Sequence, residues 1–135
     1  MATDNKQFYR IFDANFNRTK EGLRVCEDIA RYVWNQKTLT KSLKELRHGL
    51  TQVMGELNTF KILESRDVAS DIGRSSSDTE LKRKGISSVF FANMQRVKES
   101  LRVLEEVSKL LSPMSSESFK KLRYRAYVLE QKAIK

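Results

Sequence analysis

The chain has 135 residues, and its 26 Lys and Arg against 17 Asp and Glu give a formal net charge of +9 at pH 7. This length suits one domain with a real core but hardly two, and the excess of cations favours an anionic partner, either a phosphorylated metabolite or a nucleic acid. A single cysteine excludes an intramolecular disulfide, and a single histidine leaves no Cys/His cluster for a metal or a nucleophilic pair.

The chain opens without an apolar signal segment, and no run approaches the roughly 18 apolar residues that a membrane span needs. We therefore expect a cytoplasmic protein without membrane contact. One Pro and five Gly in the whole chain, together with long 3.6-residue periodicity, predict an all-α domain. The predicted helices are one from near Gln7 to Trp34, one from a cap at Thr38 or Thr40 to Leu63, a short one from a capping box at Ser77 and Glu80 to before Gly85, one from near Ser87 or Ser88, and one after Ser112-Pro113.

Residues 13–32 recur, slightly altered, as residues 91–110, with nine identities in twenty positions at an offset of 78. A weaker match at an offset of 76 relates Lys44, Leu46 and Arg47 to Lys120, Leu122 and Arg123. The repeating unit is therefore a helix pair, and two such pairs are expected to pack about a pseudo-twofold axis. The prediction is one domain, 1–135, with repeat one at about 7–63, a linker at 64–86 and repeat two at about 87–135. It is a bundle of four long helices plus one short helix.

Polar residues recur at positions that the pattern assigns to the inner face of the first helix of each pair. Asn15 and Arg18 project into an apolar arc defined by Leu23, Val25, Cys26, Ile29 and Val33. A buried guanidinium needs a carboxylate, an amide or a bound anion as its partner. Asn93 and Arg96 repeat the pattern, Glu21 and Glu99 would orient the arginines, and Gly22 and Ser100 would let the backbones approach closely. Such a set is either a buried network that fixes the helix crossing or a ligand site, and the surplus of cations favours the site.

The linker between the repeats is a second candidate element. Arg66, Asp67, Asp71, Gly73 and Arg74 offer cations for phosphate and two oxygen ligands for Mg²⁺. The alternative is an ordinary linker with an Asx-turn at Asp71. A third cluster places Arg123 and Arg125 among Lys120, Lys121, Tyr124 and Tyr127. Basic and aromatic side chains together suit nucleotides, but a solvated helix face explains most of them, and inner-face polar residues suit a pocket better than a nucleic-acid surface.

Five phrases, at residues 13–25, 46–48, 66–67 with 71–73, 92–106 and 122–125, resemble the helical domain that is fused ahead of thiamine-phosphate synthase in cyanobacteria and some other bacteria. The resemblance spans nearly the whole chain. It implies an activity proposed for that family, an alternative hydroxymethylpyrimidine-phosphate kinase, and with it Mg²⁺ and ATP. No synthase portion follows the helical domain in this sequence, so we expect it to act alone or with a separate thiamine-phosphate synthase.

The resulting hypothesis is that the chain binds hydroxymethylpyrimidine phosphate and phosphorylates it to the diphosphate. Asp67 and Asp71 would be the catalytic residues and the Mg²⁺ ligands. The predicted substrate-binding residues are Asn15, Arg18, Glu21, Arg47, Arg66, Asn93, Arg96, Glu99 and Arg123. The alternatives are a non-enzymatic module that binds the pyrimidine phosphate or docks on the synthase, and a basic nucleic-acid-binding protein.

Overall fold

The computed structural model describes residues 5–76 and 81–134, and this part of the chain is helical without any β-strand. The all-α prediction is confirmed. No helix in it is both long enough and apolar enough to cross a membrane. The capping box predicted at Ser77 and Glu80 lies outside the described residues. The helices are α1 (Asn5–Asp28), continued by a π-helical turn (Ile29–Val33), α2 (Lys37–Gly55), α3 (Thr59–Glu64), α4 (Ile86–Ser108) and α5 (Pro113–Ala133).

The second predicted helix is in fact two. The N-cap of α2 is Gln36, which makes no side-chain capping bond, and Thr40 donates its hydroxyl to the Gln36 carbonyl at 2.8 Å instead of capping. The helix ends at Gly55. Asn58 then caps α3 by accepting a hydrogen bond from the backbone N–H of Lys61 at 3.1 Å. The predictions of a cap at Thr38 or Thr40 and of one helix to Leu63 were wrong, because the capping bond of Asn58 starts a new helix there.

Helices α1 and α4 cross in antiparallel directions at the centre of the molecule. Cys26 of α1 meets Phe90 of α4, while Thr19, further towards the start of α1, meets Ser100, further along α4. Helix α2 packs on α1, α5 packs on α4, and α2 and α5 also contact each other. The core that they enclose is apolar, with fully buried side chains that include Phe12, Leu23, Leu43, Phe90, Met94, Leu101 and Phe119.

The crossing has pseudo-twofold symmetry. The hydroxyls of Thr19 and Ser100 are 2.6 Å apart, and a Cβ built on Gly22 would lie 2.9 Å from Val97 Cγ2. Under the 78-residue offset Thr19 corresponds to Val97 and Gly22 to Ser100, so exchanging the repeats turns one contact into the other. Such reciprocal contacts are the mark of a twofold arrangement. The prediction that Gly22 and Ser100 lie at a close helix approach is confirmed.

The single cysteine is a core residue, as its phase predicts. Burial raises the pKa of the Cys26 thiol from 9.0 to about 12, with a smaller contribution from Glu130. We expect the native thiol to react with a disulfide reagent at pH 8 far more slowly than the thiol of the urea-unfolded chain, because the thiolate is the nucleophile. Stability should also fall as the pH rises from 9 towards 12, since the unfolded thiol ionises first. Equal reaction rates in native and unfolded protein would contradict this placement.

Candidate functional site: a cationic groove between two helices

The predicted inner-face arginines are on the surface. Arg18 and Arg96 are both exposed, and so are Glu21 and Glu99. Within the two predicted Asn/Arg/Glu sets, Asn15 is buried and Asn93 is half-buried. The predicted apolar arc was misplaced because it relied on two valines that are 37% and 52% exposed, Val25 and Val33. The buried face of α1 is centred instead on Phe12, Thr19, Leu23 and Cys26.

The two asparagines bond within their own helices. Asn15 donates its amide to the Ile11 carbonyl at 2.9 Å, and Asn93 donates to the Val89 carbonyl at 2.8 Å. Among the residues that the structure describes, Arg18 bonds only the Asn15 side-chain oxygen, at 3.4 Å. Across residues 5–76 and 81–134, no ion pair joins Glu21 or Glu99 to an arginine. The predicted roles of Glu21 and Glu99 in orienting the arginines therefore stay predictions without an ion pair to support them.

The linker is tied to α1 by an ion pair that the sequence did not reveal. Arg66 donates from Nε and Nη2 to the two carboxylate oxygens of Asp13, each at 2.8 Å, and this hydrogen bonding raises the pKa of Arg66. Asp13 is 7% exposed. Arg66 is thus engaged with a buried carboxylate, and its side chain remains 44% exposed.

The two predicted catalytic aspartates form turns in the linker. Asp67 Oδ1 accepts the backbone N–H of Ser70 at 3.0 Å, which lowers the pKa of Asp67. Asp71 Oδ1 accepts the N–H of Gly73 at 2.9 Å, which is the Asx-turn of the alternative reading. Among the residues that the structure describes, no three His, Cys, Asp or Glu side chains are grouped so as to hold a metal. The catalytic and Mg²⁺ roles of both aspartates stay predictions.

We expect Asp13→Asn to release the linker, because it removes the charge that holds Arg66 in a bidentate pair. Trypsin should then cleave after Arg66 and Arg74 faster than in the unmodified protein, while far-UV circular dichroism stays close to native. Asn17→Ala, which removes a 3.3 Å bond to the same carboxylate without touching Arg66, is the control. Unchanged cleavage in Asp13→Asn would show that the pair does not hold the linker.

Two matching Arg-Glu-Arg triads join the helices of each pair. In α4, Glu105 accepts Arg123 Nε of α5 on one carboxylate oxygen at 2.8 Å and Arg102 Nη1 on the other at 2.7 Å. In α1, Glu27 accepts Arg47 Nε of α2 at 3.0 Å. Arg24 completes that triad with its Nη1 at 3.8 Å from the Glu27 carboxylate. The three residues of each triad sum to a charge of +1, and Arg102 of the second triad also pairs with Glu106 at 2.9 Å. Both central glutamates are 4% exposed.

The buried pairs stabilise the helix pairs and also orient their arginines. The hydrogen bond to Glu105 raises the pKa of Arg123, so this guanidinium keeps its charge at every ordinary pH. Arg47 and Arg123 belong to the predicted substrate-binding set, but the sequence did not place them beside Glu27 and Glu105. The sequence does contain one indication of the triads, since all three members of the first triad match those of the second at the two repeat offsets.

A groove of about 450 Å³ lies beside the second triad, between α4 and α5. Its lining residues are Gln95, Lys98, Glu99, Arg102, Arg123 and Tyr127. Lys98 Nζ pairs with Glu130 at 2.8 Å and lies 4.9 Å from the centre of the Tyr127 ring. The Arg123 guanidinium lies 5.0 Å from the Tyr124 ring centre and 5.9 Å from that of Tyr127. Lys98 and Arg123 therefore each contact a carboxylate and an aromatic ring.

The groove includes two residues of the predicted substrate-binding set, Glu99 and Arg123. The others do not line it, and neither do Asp67 and Asp71. A smaller groove of about 350 Å³ lies where α1 begins and α3 ends, lined by Asn5, Lys6, Tyr9, Lys61, Glu64 and Ser65. The larger groove combines oriented guanidiniums, a lysine and a tyrosine face, so it is the candidate site.

The fold and the groove define a class, a two-repeat helical domain with a cationic, tyrosine-lined cleft. The chain belongs to the ThiD2 family, whose model matches residues 10–132. It is similar to proteins named thiamine-phosphate synthase, with 39% identity over 96% of this chain in Thermosynechococcus vestitus and 41% over 90% in Nostoc punctiforme. The relative from Rhodopirellula baltica is 37% identical over 92% of the chain. The chain spans 36%, 34% and 33% of these three relatives, about a third of their length. No solved structure matches it.

Proposed function

We propose that the chain works in thiamine biosynthesis, binding hydroxymethylpyrimidine phosphate in the groove between α4 and α5 and phosphorylating it to the diphosphate. Membership of the ThiD2 family supports the pathway, as do relatives that are named for the synthase of thiamine phosphate. A separate thiamine-phosphate synthase would consume the product. The binding step is the part that the groove's geometry supports most directly.

The main support for phosphate binding in the groove is the pair of guanidiniums that Glu105 holds there. Arg102 and Arg123 bind opposite oxygens of one buried carboxylate, at 2.7 and 2.8 Å, and Arg102 also pairs with Glu106 at 2.9 Å, so both guanidiniums are oriented before a ligand arrives. Arg123 uses Nε for this bond and gives no Nη bond to Glu105. A phosphate monoester between the two would accept charge-assisted hydrogen bonds from both arginines. Pre-orientation lowers the entropic cost of binding.

The remaining lining suits a flat heteroaromatic ring. The groove volume falls within the roughly 300–1,000 Å³ of small-molecule sites, and Tyr127 offers a ring face for stacking. The Gln95 amide can donate to a ring nitrogen, and the Glu99 carboxylate can accept from a hydroxyl or an amine on the ring. The arginines would hold the phosphate of a pyrimidine phosphate, and Tyr127 would stack on its ring.

Phosphoryl transfer adds a donor and a metal to the proposal. Mg²⁺ in phosphoryl-transfer sites takes one or two carboxylates together with substrate phosphates. Asp67 and Asp71 are the exposed linker carboxylates that would hold it with ATP, and each uses Oδ1 in its turn. Their position outside the groove favours the second candidate, a non-enzymatic module that binds the pyrimidine phosphate.

One experiment separates the two candidates. Purified protein is titrated calorimetrically with the pyrimidine phosphate and, separately, incubated with it, ATP and Mg²⁺ while diphosphate is detected through an independent thiamine-phosphate synthase. We expect both binding and product, and slower turnover with intact binding in Asp67→Asn and Asp71→Asn. Binding without product from ATP or GTP would refute the kinase and leave the binding module. Absence of binding would refute both.

A further inference from the structure

Helices α1 and α4 each carry a second stripe at the molecular surface, which is exposed along α1 and partly buried at its apolar positions on α4. The open face is defined by Ile11, Ala14, Arg18, Glu21 and Val25 of α1 and by Val89, Ala92, Arg96, Glu99 and Val103 of α4. Their alternating three- and four-residue spacing places each set on one side of its helix. Ile11 and Val25 are each 37% exposed, and Val89 is partly buried against the core. The buried sides of the two helices face each other as well as α2 and α5.

The two stripes are nearly the same surface presented twice. Ala, Arg, Glu and Val occupy four of the five positions in each repeat, and the fifth is Ile11 in one and Val89 in the other. The crossing residues beneath them differ, since Thr19 matches Val97 and Gly22 matches Ser100. Because the repeats are related by a pseudo-twofold axis at this crossing, the open face itself has approximate twofold symmetry.

The four charges at the centre of the open face form no ion pair within residues 5–76 and 81–134, and Glu21 acts only as a nearby charge that helps to raise the pKa of Arg66. Arg18 bonds only the Asn15 side chain, and neither Arg96 nor the two glutamates form an ion pair. Arginines at other phases of the same helices are paired, as Arg102 is with Glu105 and Glu106. The open face therefore combines half-exposed valines and isoleucine with two unpaired charges of each sign.

We propose that a second copy of this chain docks on the open face, so that the protein is a homodimer. Each stripe has an arginine followed by a glutamate one turn later, and when two such stripes pack in antiparallel directions each arginine meets a glutamate of the other copy. Charges placed in this way set partner and orientation in helix packing, and the apolar flanks supply the buried area. A twofold-symmetric face is suited to such an isologous contact. The inference does not rest on the pyrimidine-phosphate proposal.

Sedimentation velocity over a range of concentrations tests it. The unmodified protein should have twice the mass of one chain. Val25→Glu, which places a carboxylate in the apolar flank, should have the mass of one chain and a native far-UV spectrum. The double variant Arg18→Glu with Arg96→Glu should also be monomeric, because four like charges then face four more, and adding Glu21→Arg with Glu99→Arg should restore the dimer. Arg125→Glu, on an exposed position of α5, is the control that stays dimeric.

The charge variants keep the test decisive if Val25→Glu fails to fold, since the four charged side chains are exposed. A native protein that is monomeric up to its solubility limit would overturn the proposal. Dimers that persist in the Arg18→Glu and Arg96→Glu double variant would place the interface elsewhere and overturn it as well. Loss of pyrimidine-phosphate stabilisation in that variant, with a monomeric parent, would make the open face a ligand surface instead of a dimer contact.

Discussion

Gly22→Leu is expected to destabilise the fold by roughly 3 kcal/mol or more, because overpacking at a helix crossing cannot relax without separating the helices. A Cβ at this position would already lie 2.9 Å from Val97 Cγ2 and 3.2 Å from the Asn93 carbonyl oxygen. The first neighbour is a stiff branched side chain and the second is backbone, so neither can withdraw easily. Urea unfolding followed by circular dichroism measures the loss.

Gly55 provides the matched control. It also lies in a helix, at the end of α2, and a Cβ there would meet no atom within 4 Å. Gly55→Ala should leave stability unchanged or raise it by up to about 1 kcal/mol, since alanine restricts the unfolded chain more than glycine does. Similar unfolding midpoints for Gly22→Leu and the unmodified protein would contradict the close crossing and the pseudo-twofold packing inferred from it.

Arg123→Lys is expected to weaken pyrimidine-phosphate binding by about tenfold to a hundredfold, because lysine cannot reproduce the planar donor fork that holds phosphate and carboxylate together. Calorimetric titration gives the change in Kd, and urea unfolding of the same variant gives the cost of disturbing the pair with Glu105. Both measurements are needed, since the Arg123 side chain is only 14% exposed.

The chain itself offers the control for this variant. Arg47 holds Glu27 through Nε at 3.0 Å and is 15% exposed, so it matches Arg123 in its carboxylate partner and burial. Arg47→Lys should cost similar stability and leave pyrimidine-phosphate binding near native, because the proposed binding groove adjoins only the Glu105 triad. Equal loss of binding in both variants would mean that the effect is structural, and loss in neither would exclude Arg123 from the site.

The internal repeat predicted much of the fold because it constrains residues twice. A glycine and a serine at equivalent core positions predicted a close approach of two helices, and both lie at the α1–α4 crossing, with Gly22 against Val97 and Ser100 against Thr19. The sequence predicted less well which side of α1 faces the core. Val25 and Val33 are apolar but partly exposed, which is common on protein surfaces. Because both were counted as core residues, the predicted apolar face included the position of Arg18, which is in fact exposed.

The candidate site was less accessible from sequence because its contacts join different helices. Glu105 and Arg123 are 18 residues apart, and Asp13 and Arg66 are 53 apart, so no local pattern links them. Arginine and glutamate are also common at exposed helix positions, where the same residues would have no structural role. Their matching occurrence at the repeat offsets was visible, but the packing of α2 on α1 and α5 on α4 was needed to show which repeated residues touch.

The most direct test of the proposed site is a crystal structure of the protein grown with hydroxymethylpyrimidine phosphate. The phosphate should lie against the Arg102 and Arg123 guanidiniums, with the ring on Tyr127 and its polar edge towards Gln95 and Glu99. A ligand bound instead beside Arg18 and Arg96 on the open face, or no ligand in the groove at concentrations that saturate calorimetric binding, would contradict the assignment.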